Sequence, residues 1–243
     1  MTPSILVTGA SSGIGRAVAE RFLDDGWTVG LIARRRALLD QVAAGRETAV
    51  VLPADVTDPA AVARAFEAFS TSAGRLDVLF NNAGVFTSAA PIDEIPLEDW
   101  QAARSVNLDA MFYCARAAFA QMRRQAPQGG RIINNGSISA ESPRAGSVCY
   151  TTTKHAITGL TKTISLDGRP FDIACGQIDI GNARTDLLQG IVDAAIARGE
   201  TTPPTMDVAD VVDAVVYMAG LPPEANVQFM TVMATKMPFI GRG

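Results

Sequence analysis

Histidine and cysteine are scarce in this chain, and each shortage removes a class of chemistry. Its 243 residues include one histidine, His155, and three cysteines, Cys114, Cys149 and Cys175. The cysteines form neither a Cys-x-x-Cys motif nor a paired spacing, which argues against a disulfide framework and against a zinc site. That usage fits a reducing, cytoplasmic setting. Also missing are a charged start followed by an apolar run and any apolar stretch of the roughly 20 residues that a bilayer crossing takes. A soluble protein is expected, with no membrane contact. Long basic blocks are absent as well: the net charge is −4 and Arg34-Arg35-Arg36 is the one dense basic spot, so nucleic acid is not expected as a partner. No internal repeat or low-complexity linker divides the chain, and 1–243 reads as one domain. With 48% apolar and 19% charged residues, a core can form without covalent staples.

What is present is a regular alternation. Short runs rich in Val, Ile and Leu lie at 5–7, 27–33, 48–53, 76–81, 131–135 and 171–178. Longer segments of helical period separate them, with boundaries such as Gly26 closing the first and Asp58-Pro59 opening a later one. This order predicts an α/β protein with a parallel sheet and helices on both faces.

Tyr150 and Lys154 carry the most chemical information. Side chains four apart on a helix lie about 40° from each other, so an ammonium at 154 can sit beside a phenol at 150. A nearby cation favours phenolate, which would lower the tyrosine pKa from roughly 10 and make Tyr150 a general acid or base. His155 points about 100° away from Lys154 on the same helix and is read as structural or surface. Cys149 is read as packing.

A second motif, Thr8-Gly9-Ala10-Ser11-Ser12-Gly13-Ile14-Gly15, follows a strand and precedes a helix. Gly9, Gly13 and Gly15 permit a tight turn and close backbone approach, the helix starting near Gly13 and running on through Ile14 offers free N–H groups to a pyrophosphate, and Ser11 and Ser12 can add hydroxyl donors.

Together with Asn81-Asn82-Ala83-Gly84, Asn107 and Ser137, these motifs resemble the short-chain dehydrogenase/reductase family from the first strand to about Thr185, and more loosely beyond. The resemblance implies a single Rossmann-like domain with a doubly wound, seven-stranded, mostly parallel sheet. It also implies a catalytic set of Asn107, Ser137, Tyr150 and Lys154. In that set Ser137 holds the substrate oxygen, Tyr150 moves the proton, Lys154 also holds the nicotinamide ribose, and Asn107 keeps a water that links Lys154 to solvent. Ser137 is preferred to Ser139 because it is reached at the strand end, where such sheets place ligands. Asp55 and Val56 match the family's adenine-holding position, although Asp55 alone would read as a turn former. Asn81, Ala83 and Gly84 match its cofactor-lining motif. Ile180, Gly181, Ala183 and Thr185 occupy the segment that packs on nicotinamide, with Ile180 and Ala183 replacing the family's Pro and Val.

Cofactor choice turns on the second strand, where an NAD site places an acid. Here Ala33 stands in that place and Arg34 comes next, a guanidinium able to take a 2′-phosphate in a bidentate pair. NADP(H) is therefore favoured over NAD(H), although Ser12 leaves the glycine loop without the basic residue some NADP enzymes carry. Arg35 and Arg36 are read as the solvated opening of a helix.

The resulting expectation is an enzyme that interconverts a carbonyl and an alcohol, with reduction the favoured direction. Two other readings stay open: 3-oxoacyl-(acyl carrier protein) reduction, with Arg123 and Arg124 facing an acidic carrier, and a non-catalytic nucleotide sensor. Residues 186–206 are expected to form a substrate lid, with Leu187, Leu188, Ile191, Val192, Ala195 and Ile196 on one helical face. An apolar tail from Ala225, with Met230, Met233, Met237, Pro238 and Phe239, is expected to pack on a neighbouring subunit. The family resemblance implies a homodimer or homotetramer.

Overall fold

Strand β1, Ser4–Thr8, is buried along its whole length. Its side chains alternate between two separate cores, Ile5 and Val7 facing one and Leu6 the other. A strand kept dry on both faces shows an unbroken apolar run rather than an alternating one. This is why the sequence marks the strands so clearly.

The computed structural model describes residues 2–185, 188, 189, 192, 193, 196, 199 and 201–240. Its strands β1, β2 (Thr28–Ala33), β3 (Ala49–Pro53), β4 (Val78–Asn81), β5 (Gly130–Asn135), β6 (Ile173–Ile180) and β7 (Phe229–Val232) form one sheet in the order β3-β2-β1-β4-β5-β6-β7. Every neighbouring pair is parallel.

On one face lie α1 (Gly13–Asp24), α2 (Arg36–Ala43) and α7 (Val208–Ala219), which bury Phe22, Leu39 and Val215 in the first core. On the other lie α3 (Pro59–Ala73) and α5 (Ala110–Arg124), which bury Phe66, Phe69 and Met122 in the second. Beside them run α4 (Leu97–Arg104) and the long α6 (Val148–Gly168). Helix α3 shows how the boundaries are written: the Asp58 side chain accepts from the Ala60 N–H, Pro59 occupies the first turn, and Gly74 ends the helix at φ 76°.

Three elements depart from the sequence reading. Strand β4 begins at Val78 rather than Leu76, because the Gln125 side chain brackets Leu76, accepting from its N–H and donating to its carbonyl, each at 2.9 Å. Strand β6 runs from Ile173 to Ile180, since Arg169–Phe171 forms a 3₁₀ turn and Asp172 sits at φ 54°. The tail is the third case. Phe229–Val232 pairs with β6 as β7, and Met233, Met237 and Phe239 pack on the chain's own first core.

The lid expectation falls partly outside the described residues. Of its six apolar positions, Leu188, Val192 and Ile196 are described, Leu188 beside the main cleft and Ile196 exposed. The two ends of the 186–206 segment are pinned together by a parallel bridge between Ala183 and Met206.

Between β1 and β4 the strand order reverses, with β2 and β3 on one side and β5 to β7 on the other. The crevice beyond the carboxyl ends of these strands is where such sheets bind ligands.

Candidate active site

At that crevice lies a cleft of about 790 Å³. One end is built by the β1–α1 loop, where Gly9 adopts φ 70° and a Cβ at Gly15 would overlap the Gly9 carbonyl, so the helix can press against the turn only with glycine there. Ser11, Ser12, Gly13 and Ile14 line the cleft; Gly15 lies beneath it. Helix α1 has no acidic side chain in its first turn, and Ser12 makes no capping bond to it. Among the described residues no side chain satisfies its first amides, and loop and helix together fit a pyrophosphate.

Farther along the cleft are Ala33, Arg34, Asp55 and Val56. Asp55 also forms the turn anticipated for it: its Oδ1 accepts from the Thr57 N–H at 2.9 Å and the Thr57 hydroxyl at 2.8 Å. Those two bonds, with Arg34 adding charge, hold its carboxyl below the usual range. Arg35 lines the cleft too, whereas Arg36 pairs with Asp40 at 3.5 Å on the surface of α2. The structure thus separates Arg35 from Arg36, two residues that the sequence alone groups together.

At the opposite end Ser137, Tyr150 and Lys154 come together; Ile180, Gly181, Ala183 and Thr185 also line the cleft, with Thr185 next to Gly13 of the glycine loop. Strand β5 delivers Ser137, and α6 delivers the other two one helical turn apart. The Ser137 side chain lies near enough to Tyr150 to favour its phenolate, and its hydroxyl accepts from the Ser139 N–H at 3.1 Å. Lys154 is 3% exposed, donates from Nζ to the Asn135 carbonyl at 2.7 Å, and lies 5.5 Å from the Tyr150 ring centroid. Phe86 stacks on the tyrosine from the cleft side, centroids 4.4 Å apart.

Two expected residues stand behind this wall rather than in it. Asn81 is turned inward, donating to the Met111 carbonyl at 2.8 Å and Asn134 Oδ1 at 3.1 Å. Asn107 is fully buried within a π-helical turn, Ser105–Asp109. Its side chain grips Val85 twice, accepting from the N–H at 2.7 Å and donating to the carbonyl at 2.9 Å. His155 is exposed and bonds Thr151.

Sequence reasoning missed Asn82 and Asn135. Asn82 bonds the Thr8 carbonyl at 2.9 Å and receives the Asn135 amide at 2.8 Å. With Lys154 on the Asn135 carbonyl, a polar strap runs along the ends of β1, β4 and β5 from the glycine loop to the reacting end. The doubled asparagine signals at 81–82 and 134–135 are visible in the sequence, but nothing local says which of each pair faces the cleft.

The electrostatics also differ from expectation. Burial pushes the Tyr150 phenol up to about 12, against lowering by Ser137 and Arg144. Lys154 was expected to pull it down; instead burial pulls the lysine itself down to about 8. Desolvation disfavours both charged forms and is the largest cause of each shift.

This has a measurable consequence for stability. The folded-state pKa of Lys154 lies below its ordinary value of 10.5, so the unfolded chain binds more protons in that window and the lysine's contribution rises with pH from about 8 upward. Between about pH 7 and pH 10 the parent should gain about 2 kcal/mol relative to Lys154→Met. Paired urea titrations measure this. A difference that stays constant across the window would show that the lysine is not charged at the cost of burial.

A family model described as short chain dehydrogenase matches residues 3–195. The chain is 34% identical over 189 residues to a 3beta-hydroxysteroid dehydrogenase of Mediterraneibacter gnavus, covering 76% of this chain and 67% of that one. Its fold matches the closed form of serine dehydrogenase complexed with NADP+, with a TM-score of 0.88 and 25% identity over 99% of this chain and 98% of that one. A 3-ketoacyl-(acyl-carrier-protein) reductase from Brucella melitensis complexed with NADH has the same fold, with a TM-score of 0.85 and 24% identity over 95% and 96% of the two chains. The chain belongs to the short-chain dehydrogenase family. It is an oxidoreductase that acts on hydroxyl and carbonyl groups with a nicotinamide dinucleotide. Among the described residues no group could hold a metal ion and no helix is long and apolar enough to cross a membrane.

Proposed function

We propose that this protein reduces a ketone or aldehyde with NADPH, Tyr150 giving the proton to the carbonyl oxygen. The observation that supports it most is the meeting of Ser137, Tyr150 and Lys154 at one end of a cleft whose other end fits a pyrophosphate. When bound, the cofactor supplies the hydride. Ser137 holds the substrate oxygen within reach of the phenol, and the strap from Thr8 to Lys154 keeps both ends of the cleft in one frame. A phenol pushed up to about 12 keeps its proton at neutral pH, which suits donation over abstraction. Ala33 and Arg34 at the adenosine end support NADPH over NADH.

Phe86, stacked on Tyr150, and Leu188 give the cleft apolar lining, which favours a moderately apolar substrate. The carrier-protein alternative loses one support, because the Arg123 guanidinium lies 4.3 Å over the Phe171 ring of its own chain. A pure nucleotide sensor would have no use for a general acid at Tyr150. NADPH oxidation against a panel of aldehydes, ketones, diketones, quinones, sugars and 3-oxoacyl thioesters is the test. At least one class should turn over. Tight NADPH binding with no turnover across the panel would favour the sensor.

A further inference from the structure

Behind the cleft a line of buried polar side chains crosses the sheet from β4 to β6. Asn81 donates to Asn134 Oδ1 at 3.1 Å, Asn134 to Thr161 Oγ1 at 2.9 Å, and Thr161 to Gln177 Oε1 at 3.3 Å. Gln177 then donates to Asp179 Oδ1 at 2.7 Å, and the same oxygen accepts from the Ser137 N–H at 2.8 Å. All six residues are at most 5% exposed. The line thus ends in a carboxyl group lodged directly under the strand end that presents Ser137.

Room for that group depends on a glycine: a Cβ at Gly136 would run into the Asp179 carboxylate. An acid is costly in such a place, and an asparagine could accept the same two bonds at lower cost. What it would lack is charge. The titratable groups that sense this charge are Lys154 and Tyr150 on α6, while Glu141, just past the 3₁₀ turn after β5, raises Asp179 and Lys154 lowers it.

We propose that Asp179 is a positioning residue for the reaction, its carboxylate anchoring the Ser137 turn and acting as a buried counter-charge for Lys154. The proposal rests on the reaction assigned above to Ser137, Tyr150 and Lys154. Burial lowers the lysine and Asp179 opposes that lowering; the same negative charge raises the tyrosine, helping it keep the proton it donates. Burial also raises Asp179 itself, with Gln177 and the Ser137 amide working against that rise.

Charge and geometry separate in two variants. Asp179→Asn keeps an acceptor for the Ser137 N–H and the Gln177 amide, whereas Asp179→Ala leaves both donors buried and unpaired. The chain contains only three lysines, Lys154, Lys162 and Lys236, so ¹³Cε-lysine NMR can follow Lys154 directly, with Lys154→Met assigning its signal. In Asp179→Asn the Lys154 midpoint should fall by about half to one pH unit from the parent value. A midpoint that moves by less than about 0.2 unit overturns the counter-charge. In Asp179→Ala kcat should drop about tenfold or more at little changed KM for NADPH, with Asn restoring most of it. An alanine variant with parental kcat overturns the anchoring; if alanine fails to fold, the Asn titration still decides. The lysine titration needs no substrate. Loss of the proposed activity across the panel would therefore leave a shifted Lys154 midpoint readable, and the two failures stay distinct.

Discussion

Tyr150→Phe is expected to lower turnover by about 10²–10⁴-fold, the range for a lost general acid, while NADPH binding stays within about twofold. Only the hydroxyl is deleted; the ring keeps its stack on Phe86 and its place over Lys154. Because the parent phenol sits near 12, reduction should hold steady across neutral pH, whereas oxidation of the product alcohol, which needs phenolate, should climb as pH rises. Steady-state rates in both directions and a fluorescence titration of NADPH on one preparation measure all of this. Residual turnover within about tenfold of the parent would remove Tyr150 from the proton path.

Reversal of cofactor preference is the second large effect. Arg34 lines the cleft close to Asp55, is exposed, and among the described residues has no ion-pair partner; its charge helps to lower Asp55. Arg34→Leu should weaken NADPH more than NADH by about 1.5–3 kcal/mol, roughly tenfold to a hundredfold in kcat/KM. Ala33→Asp with Arg34→Leu should invert the order, since it removes an attraction and adds a like-charge repulsion. Arg35, which faces the same space, should compensate in part, so the triple change including Arg35→Leu should invert it further. Equal losses for both cofactors in the single variant would place Arg34 on the shared pyrophosphate or on the fold instead.

The parallel sheet was legible because every inner strand is dry on both sides and announces itself as an apolar run. Strand β7 was not. Phe229 to Val232 lies at the sheet edge with Phe229 40% exposed, so its pattern is that of a surface segment, and Met230, with Met233 and Met237 beyond it, reads as a contact for another subunit. The glycine loop and the Tyr150–Lys154 pair were legible because their spacing is set locally, by one turn and one helix. Asn82, Asn135 and Asp179 were not, since what makes them matter is the lateral order of β1, β4, β5 and β6, which no short stretch of sequence contains. The direction of the tyrosine shift was missed for a related reason: spacing reports a nearby cation, but desolvation depends on everything packed around the pair.

The π-helical turn at Ser105–Asp109 ties two surfaces to one another. A turn that is one residue wider than α rotates the downstream helix by about 100° relative to an uninterrupted one. Upstream of it, Ala103 is buried and α4 borders the cleft; downstream, Met111, Cys114, Ala118 and Met122 seat α5 on the sheet. Deleting a single residue there would restore a regular helix and swing one of those surfaces off its support, while Asn107 would lose its two-point grip on Val85. Length is thus fixed at this point more tightly than composition. Substitutions on the outer side of the turn can be absorbed, but a one-codon deletion changes the phase of everything beyond it.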